Sequence, residues 1–122
     1  MRNGSAVCVQ GSSGVLTIKL AHPVKVSSIS IDHISRSQAV NATSALRDFE
    51  VFGLASISGP RRVLSRGKYD IEGPATQNFL VVDDKSDARP AYEYVSLRIH
   101  SNHGNPEYTC LYRFRVHGEV VS

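Results

Sequence analysis

At 122 residues, with 41% hydrophobic and 20% charged residues, the chain has the composition of one globular domain and can bury a core of its own. No run of 18 apolar residues occurs, which excludes a membrane-spanning helix, and residues 1–20 lack the apolar stretch of a secretory signal. The net charge of +3 is scattered; its tightest group, Arg61, Arg62, Arg66 and Lys68, reads as a solvated loop bounded by Gly and Pro, not as a nucleic-acid stripe.

Taken in chain order, the apolar residues alternate. Leu16, Ile18 and Leu20 share one face of a first strand, opposite Thr17 and Lys19. Val24 and Val26 start a second apolar face after the turn signal His22-Pro23. Ile29 and Ile31 continue it with shifted parity, so a bulge is predicted at Ser27-Ser28. Ser44 to Arg47 suits a short helical turn. Phe49 and Val51 form one face of a strand, with Phe52 and Leu54 on the other. Phe79 to Val82 is a continuous apolar run. Val95, Leu97 and Ile99 alternate with Ser96, Arg98 and His100. Last, Tyr108, Cys110, Tyr112, Phe114 and Val116 alternate with Thr109, Leu111, Arg113, Arg115 and His117 in one final strand.

Turn signals separate these runs at 10–14, 58–60, 72–74, 83–84 and 102–106, and no ten-residue stretch carries a helical period. The expectation is an all-β protein: an antiparallel β-sandwich of about seven or eight strands.

Catalytic and metal motifs are weak. The glycines of 10–14 lack the lysine and helix of a phosphate loop. His100 and His103 beside Asn102 make at most half a metal site. Asp32, His33 and Ser44 contain the residue types of a triad, but no strand-turn-helix elbow surrounds the serine. The chain is read as a non-enzyme. Tyr108, Cys110 and Tyr112 support two readings, core packing or a groove floor whose hydroxyls hold a carboxylate. Cys8 and Cys110 are either two buried thiols or one bond closing most of the chain. Asn41-Ala42-Thr43 is an N-glycosylation acceptor if the chain enters the secretory lumen.

The run from Asn105 to Glu119, NPEYTCLYRFRVHGE, resembles the C-terminal signature of SUN domains. The likeness continues upstream through QGSSGVLTIKL, SISIDHIS, TSALRDFEVFGL, GKYDIEG and QNFLV, covering nearly the whole chain from Gln10. It implies a jelly-roll or discoidin-like sandwich in the perinuclear space, part of an inner-nuclear-membrane protein of the LINC complex. The partner would be the C-terminal tail of a KASH protein, bound as an added strand with its terminal carboxylate in a polar pocket. Carried over residue by residue, that pocket consists of His33, Ser44, Tyr108 and Tyr112. The resemblance also implies a bond from an upstream cysteine to Cys110. Alignment on Gln10-Gly11 puts Ala6 at that upstream position, with Cys8 two residues later in the same parity. His103 and Asn105 replace the family's Trp and His in the loop before Pro106, which points to altered partner choice.

The stretch 1–9 reads as a remnant of the family's cation loop, ahead of a sandwich core at 10–122. It is too short for the family's stalk and peptide-clamping lid. The expectations are therefore an incomplete monovalent cation site, no other cofactor, weakened peptide binding, and a monomer where full-length relatives form homotrimers. No nucleic acid is expected, and membrane attachment only through a segment outside this sequence. A luminal carbohydrate-binding module of the discoidin type is the alternative function; its acidic loop would be Asp83, Asp84 and Asp87.

Overall fold

The computed structural model describes residues 7–32, 42–81, 90–111 and 113–121. In these, eight strands and one 3-10 turn follow in order: β1 (Val7–Gln10), β2 (Gly14–Asp32), the 3-10 turn (Ala42–Ser44), β3 (Asp48–Leu54), β4 (Arg62–Lys68), β5 (Thr76–Leu80), β6 (Tyr92–Ile99), β7 (Tyr108–Leu111) and β8 (Arg113–Val120). One sheet has the order β4-β3-β6-β2-β5, with β8 also paired to β2; the second is the ribbon β1-β7. Every strand pairing is antiparallel. Among the described residues no helix is long and apolar enough to cross a membrane.

Strand β2 organises the large sheet. Its first part pairs β6 from Gly14↔Ile99 to Lys19↔Tyr94, and its second part pairs β5 and β8 up to Asp32. The pairing with β8 slips between Val26 and Ser28, where the parity of the apolar residues demanded a bulge. His22-Pro23, read as a turn, instead lies inside this strand. Proline has no N–H to give, and Pro23 falls in the irregular stretch between Lys19 and Val24, so no ladder bond is lost.

The core faces inward from β2, β3 and β6. Leu16, Leu97, Val51 and Ser65 stand in one cross-strand row, and Gly14, Ile99, Phe49 and Gly67 in the next. Ile29, Ile31, Val51, Val95 and Leu97 are wholly buried. The Phe49 ring meets Phe79 edge to face at 4.8 Å. Gly67 makes that contact attainable, because a Cβ there would lie 2.8 Å from both rings. Phe52 and Leu54 are buried as well, after a register shift at Val51/Phe52.

Other elements also differ from the sequence reading. Arg62–Lys68 is strand β4, not loop: the buried Leu64 and Ser65 supply an inward anchor that the arginines masked. The helical turn sits at Ala42–Ser44, ahead of Ala45 and Leu46, which form bridges to Cys110 and Asn102.

The outer face of β3 carries charge. Glu50 accepts from Arg66 Nε at 2.7 Å and lies 2.8 Å from His100 Nε2. Hydrogen bonds from Arg66 and then His100 hold the Glu50 carboxyl below its ordinary 4.5. The Ser101 hydroxyl donates to Asp48 at 2.7 Å and lowers that carboxyl too, helped by Lys68 and Arg47.

Leu97→Ala is expected to destabilise the domain by about 2–5 kcal/mol, and Gly67→Ala by about 1–3 kcal/mol, both read from denaturant midpoints. Because the folded-state values of Glu50 and Asp48 are depressed, their stabilisation is present above the ordinary carboxyl range and is lost as pH falls through the folded values. Glu50→Gln should therefore flatten the acid limb of the stability–pH curve while leaving the neutral-to-alkaline shape unchanged. An acid limb identical to wild type would exclude this role.

Candidate functional site: the corner built on β7

A two-stranded ribbon such as β1-β7 is marginal by itself. Three attachments hold it. Cys8 and Cys110 face each other in register and are joined by a disulfide, with Cα atoms 4.1 Å apart. Gly11 N donates to Glu107 O at 2.8 Å, and the Thr109 hydroxyl donates to Gly11 O at 2.8 Å. Gly11 adopts φ of 82°, a left-handed conformation suited to glycine.

The third attachment is Asn102, which is 8% exposed. Its amide nitrogen lies 2.6 Å from Asn105 O, 2.9 Å from Thr109 Oγ1 and 3.2 Å from Tyr108 O. Its Oδ1 accepts from the backbone N–H groups of Gly104 and Asn105, each at 3.0 Å. Asn105 then repeats the device, its Oδ1 accepting from Glu107 N and Tyr108 N. Two buried amides thus satisfy the loop between β6 and β7. Gly104, at φ of 119°, closes the turn. His103 N reaches Thr43 O and Ala45 O, and His103 Nε2–H donates to Tyr69 O at 2.9 Å.

This corner brings two of the four pocket residues inferred from the resemblance to the same part of the fold. Ser44 is buried at the end of the 3-10 turn, and the adjoining Ala45 pairs in parallel with Cys110. Tyr108, two residues from Cys110 on β7, is 39% exposed, so its ring is not core. His33 and Tyr112 lie outside the described residues, as do Asn41, Asp83, Asp84 and Asp87. The final strand is divided: β7 pairs β1, while β8 pairs β2. Leu111 consequently packs in the core beside Cys110 instead of alternating outward.

The weaker motifs disperse. Asp32 accepts from Arg115 Nη2 at 3.1 Å through both oxygens, with Arg113 at 3.9 Å, so its carboxylate orients arginines and no serine. His117 Nε2 lies 2.6 Å from Ser30 Oγ, which donates to Asn78 Oδ1 at 2.5 Å. Arg113, Arg115 and His117 therefore belong to a polar layer over β2. His100 and His103 turn to Glu50 and Tyr69, and among the described residues no three metal-ligating side chains converge. The structural role of the Asn102 and Asn105 amides escaped the sequence reading. The run Asn-His-Gly-Asn signals only a turn, and hydrophobic period does not register a buried amide.

With this geometry in place, similarity becomes informative. Residues 1–120 match the family described as Sad1 / UNC-like C-terminal. The chain belongs to the SUN-domain family. It is 39% identical over 121 residues to human SUN domain-containing protein 1, covering 97% of this chain and 15% of that protein. It is 42% identical over 120 residues to the Drosophila melanogaster Klaroid protein, covering 95% and 12%. The Caenorhabditis elegans Nuclear migration and anchoring protein unc-84 is 37% identical over 122 residues, covering 97% and 11%. The chain thus spans a small fraction of the length of these relatives.

Among solved structures, the F5/8 type C domain of a Bacteroides fragilis protein superposes with a TM-score of 0.73 at 12% identity, covering 98% of this SUN domain and 77% of that chain. The family 32 carbohydrate-binding module of Streptococcus pneumoniae EndoD gives 0.69 at 13%, covering 93% and 75%. These likenesses establish the jelly-roll sandwich of discoidin type and nothing about ligands.

Asn102→Ala removes the side-chain partner of four backbone groups, two of them on the buried Asn105, and is expected to destabilise the domain by about 3 kcal/mol. Replacing Cys8 and Cys110 together by serine opens a loop of 102 residues. That change should lower stability by about 4–5 kcal/mol in the chain-entropy account, and reductant should do the same to wild type only. Equal sensitivity of both proteins to reductant would contradict the assignment.

Proposed function

We propose that this SUN domain captures the C-terminal tail of a KASH protein within the perinuclear space, tethering nucleus to cytoskeleton across the nuclear envelope. It acts as a binding module and not as an enzyme. The whole protein resides in the inner nuclear membrane and works as a homotrimer. The observation that carries this reading is the corner itself: a tyrosine exposed on a covalently fixed ribbon, next to the buried Ser44 segment, in a chain of this family.

The chemistry is that of carboxylate capture. Hydroxyl and imidazole donors in a partly dry site satisfy a carboxylate more strongly than neutral acceptors. Ser44, Tyr108 and Tyr112 supply hydroxyls and His33 supplies a ring N–H. The extended part of the tail adds to a sheet edge through main-chain hydrogen bonds, which give affinity with little demand on side-chain identity. His103 and Asn105 border this corner and tune which tail is accepted. A relative named for nuclear migration and anchoring supports the tethering role.

Substitution tests the pocket. Tyr108→Phe, Tyr112→Phe, Ser44→Ala and His33→Ala should each raise the Kd for a KASH tail peptide by about tenfold, equal to about 1.4 kcal/mol. Thermal midpoints should stay near wild type for His33→Ala and the two tyrosine variants. Unchanged affinity in His33→Ala and Tyr112→Phe would remove the pocket assignment.

A further inference from the structure

At the other end of β3 from this corner, roughly 20 Å away along seven residues of strand, lies an open cavity of about 350 Å³. It is formed by the β3–β4 connection and the chain entering β6. Its walls include Ser56, Pro60, Arg61, Arg62, Pro90 and Tyr92. We propose that this cavity is a binding site for a small carboxylate carried on a ring-sized body, separate from the peptide corner.

The site is shaped before any ligand arrives. Gly59 N donates to Ser56 O at 3.0 Å, closing a tight turn, and a Cβ at Gly59 would lie 2.8 Å from Ser56 Oγ. Two prolines stiffen the walls where the chain enters β4 and β6. Tyr92 is buried, and its ring lies flat against Gly53, where a Cβ would sit 2.7 Å from it. The floor is therefore a fixed aromatic surface, and strand β3 has a glycine where that surface needs room.

The charge is equally directed. Arg61 lies over Phe52, its guanidinium carbon 4.9 Å from the ring centroid, a contact that uses the face of the cation and none of its N–H donors. Arg62, opposite Gly53 in the β3–β4 pairing, joins it. Neither guanidinium has a carboxylate partner among the described residues, in contrast to Arg66, which is held by Glu50. Both arginines line the cavity, Arg62 from the Tyr92 side of β3 and Arg61 from the Phe52 side. Two cations without a carboxylate, at the mouth of a cavity with an apolar floor, suit a planar oxyanion with a compact body: the arginines take the carboxylate and the prolines and Tyr92 take the ring. A bare anion would leave the apolar surface unused, and a neutral ring would leave both cations unmatched.

Titration of the whole domain, followed through the backbone amide NMR signals of Ser56, Gly59 and Tyr92, tests the proposal. The probes are glucuronate and benzoate, with glucose, benzyl alcohol and acetate as their neutral or ringless counterparts. At least one of the two acids should give saturable shifts at these amides and bind at least tenfold more tightly than its counterparts; the tighter acid identifies a sugar acid or an aryl acid as the class. Arg61→Ala/Arg62→Ala should raise the Kd at least tenfold, and Arg62→Ala alone by less. Arg98→Ala, which removes the same charge from the outer face of β6, should leave the Kd within twofold. Absence of saturable shifts with both acids, acetate binding as tightly as they do, undiminished binding by the double variant, or an equal loss in Arg98→Ala would each overturn the site. No peptide enters the experiment, so its outcome is independent of the tethering role.

Discussion

One strand, β2, serves three partners, and most of the domain hangs on its register. Over nineteen residues it joins β6 to β5 and β8, so a slip of one residue anywhere would turn Ile29 and Ile31 out of the core. The bulge between Val26 and Ser28 resolves the conflict between two apolar runs of opposite parity. It also sets Ser30 and Asp32 on the outer face, where Ser30 meets Asn78 and His117 and Asp32 gathers Arg113 and Arg115. Burial on one face and a polar layer on the other thus specify the same register.

The corner built on β7 stands apart from that sheet. Its ribbon meets the main core through Leu111 and Val9, and it is tied further by a covalent bond, a threonine hydroxyl and the amide of Asn102. This division has a functional consequence. Residues at the corner such as His103 and Asn105 can differ from those of relatives without disturbing the packing of Val51, Val95 and Leu97. The main sheet and the corner are thus held by different kinds of interaction, apolar burial in one and a covalent bond with buried amides in the other. The cavity at the far end of β3 follows the same logic, since its arginines project from the sheet margin and its only buried side chain is Tyr92.

Periodicity of two was enough to read β2, β3 and β6, because each presents a regular apolar face to the core. It failed where another constraint prevailed. Pro23 looks like a terminator but occupies an irregular stretch with no ladder bond to lose. Arg61, Arg62 and Arg66 look like a loop because charge hid Leu64, the buried apolar residue among them. From Tyr108 to Val116 the alternation is nearly unbroken in sequence, yet the chain changes sheets between Leu111 and Arg113, a topological fact that local pattern does not encode. Of the pocket, the residue types came from family resemblance. The exposure of Tyr108 and the closeness of Ser44 to β7 required the fold, as did Asn102, whose amide has no periodic signature.

The central claim is that this corner recognises the free end of another chain. It is tested most directly by calorimetric titration of the domain with two KASH tail peptides that differ only at the terminus, one ending in a carboxylate and the other in an amide. The account predicts saturable binding of the acid and a loss of at least tenfold for the amide. Equal affinities, or no binding of the acid at millimolar concentration, would contradict it.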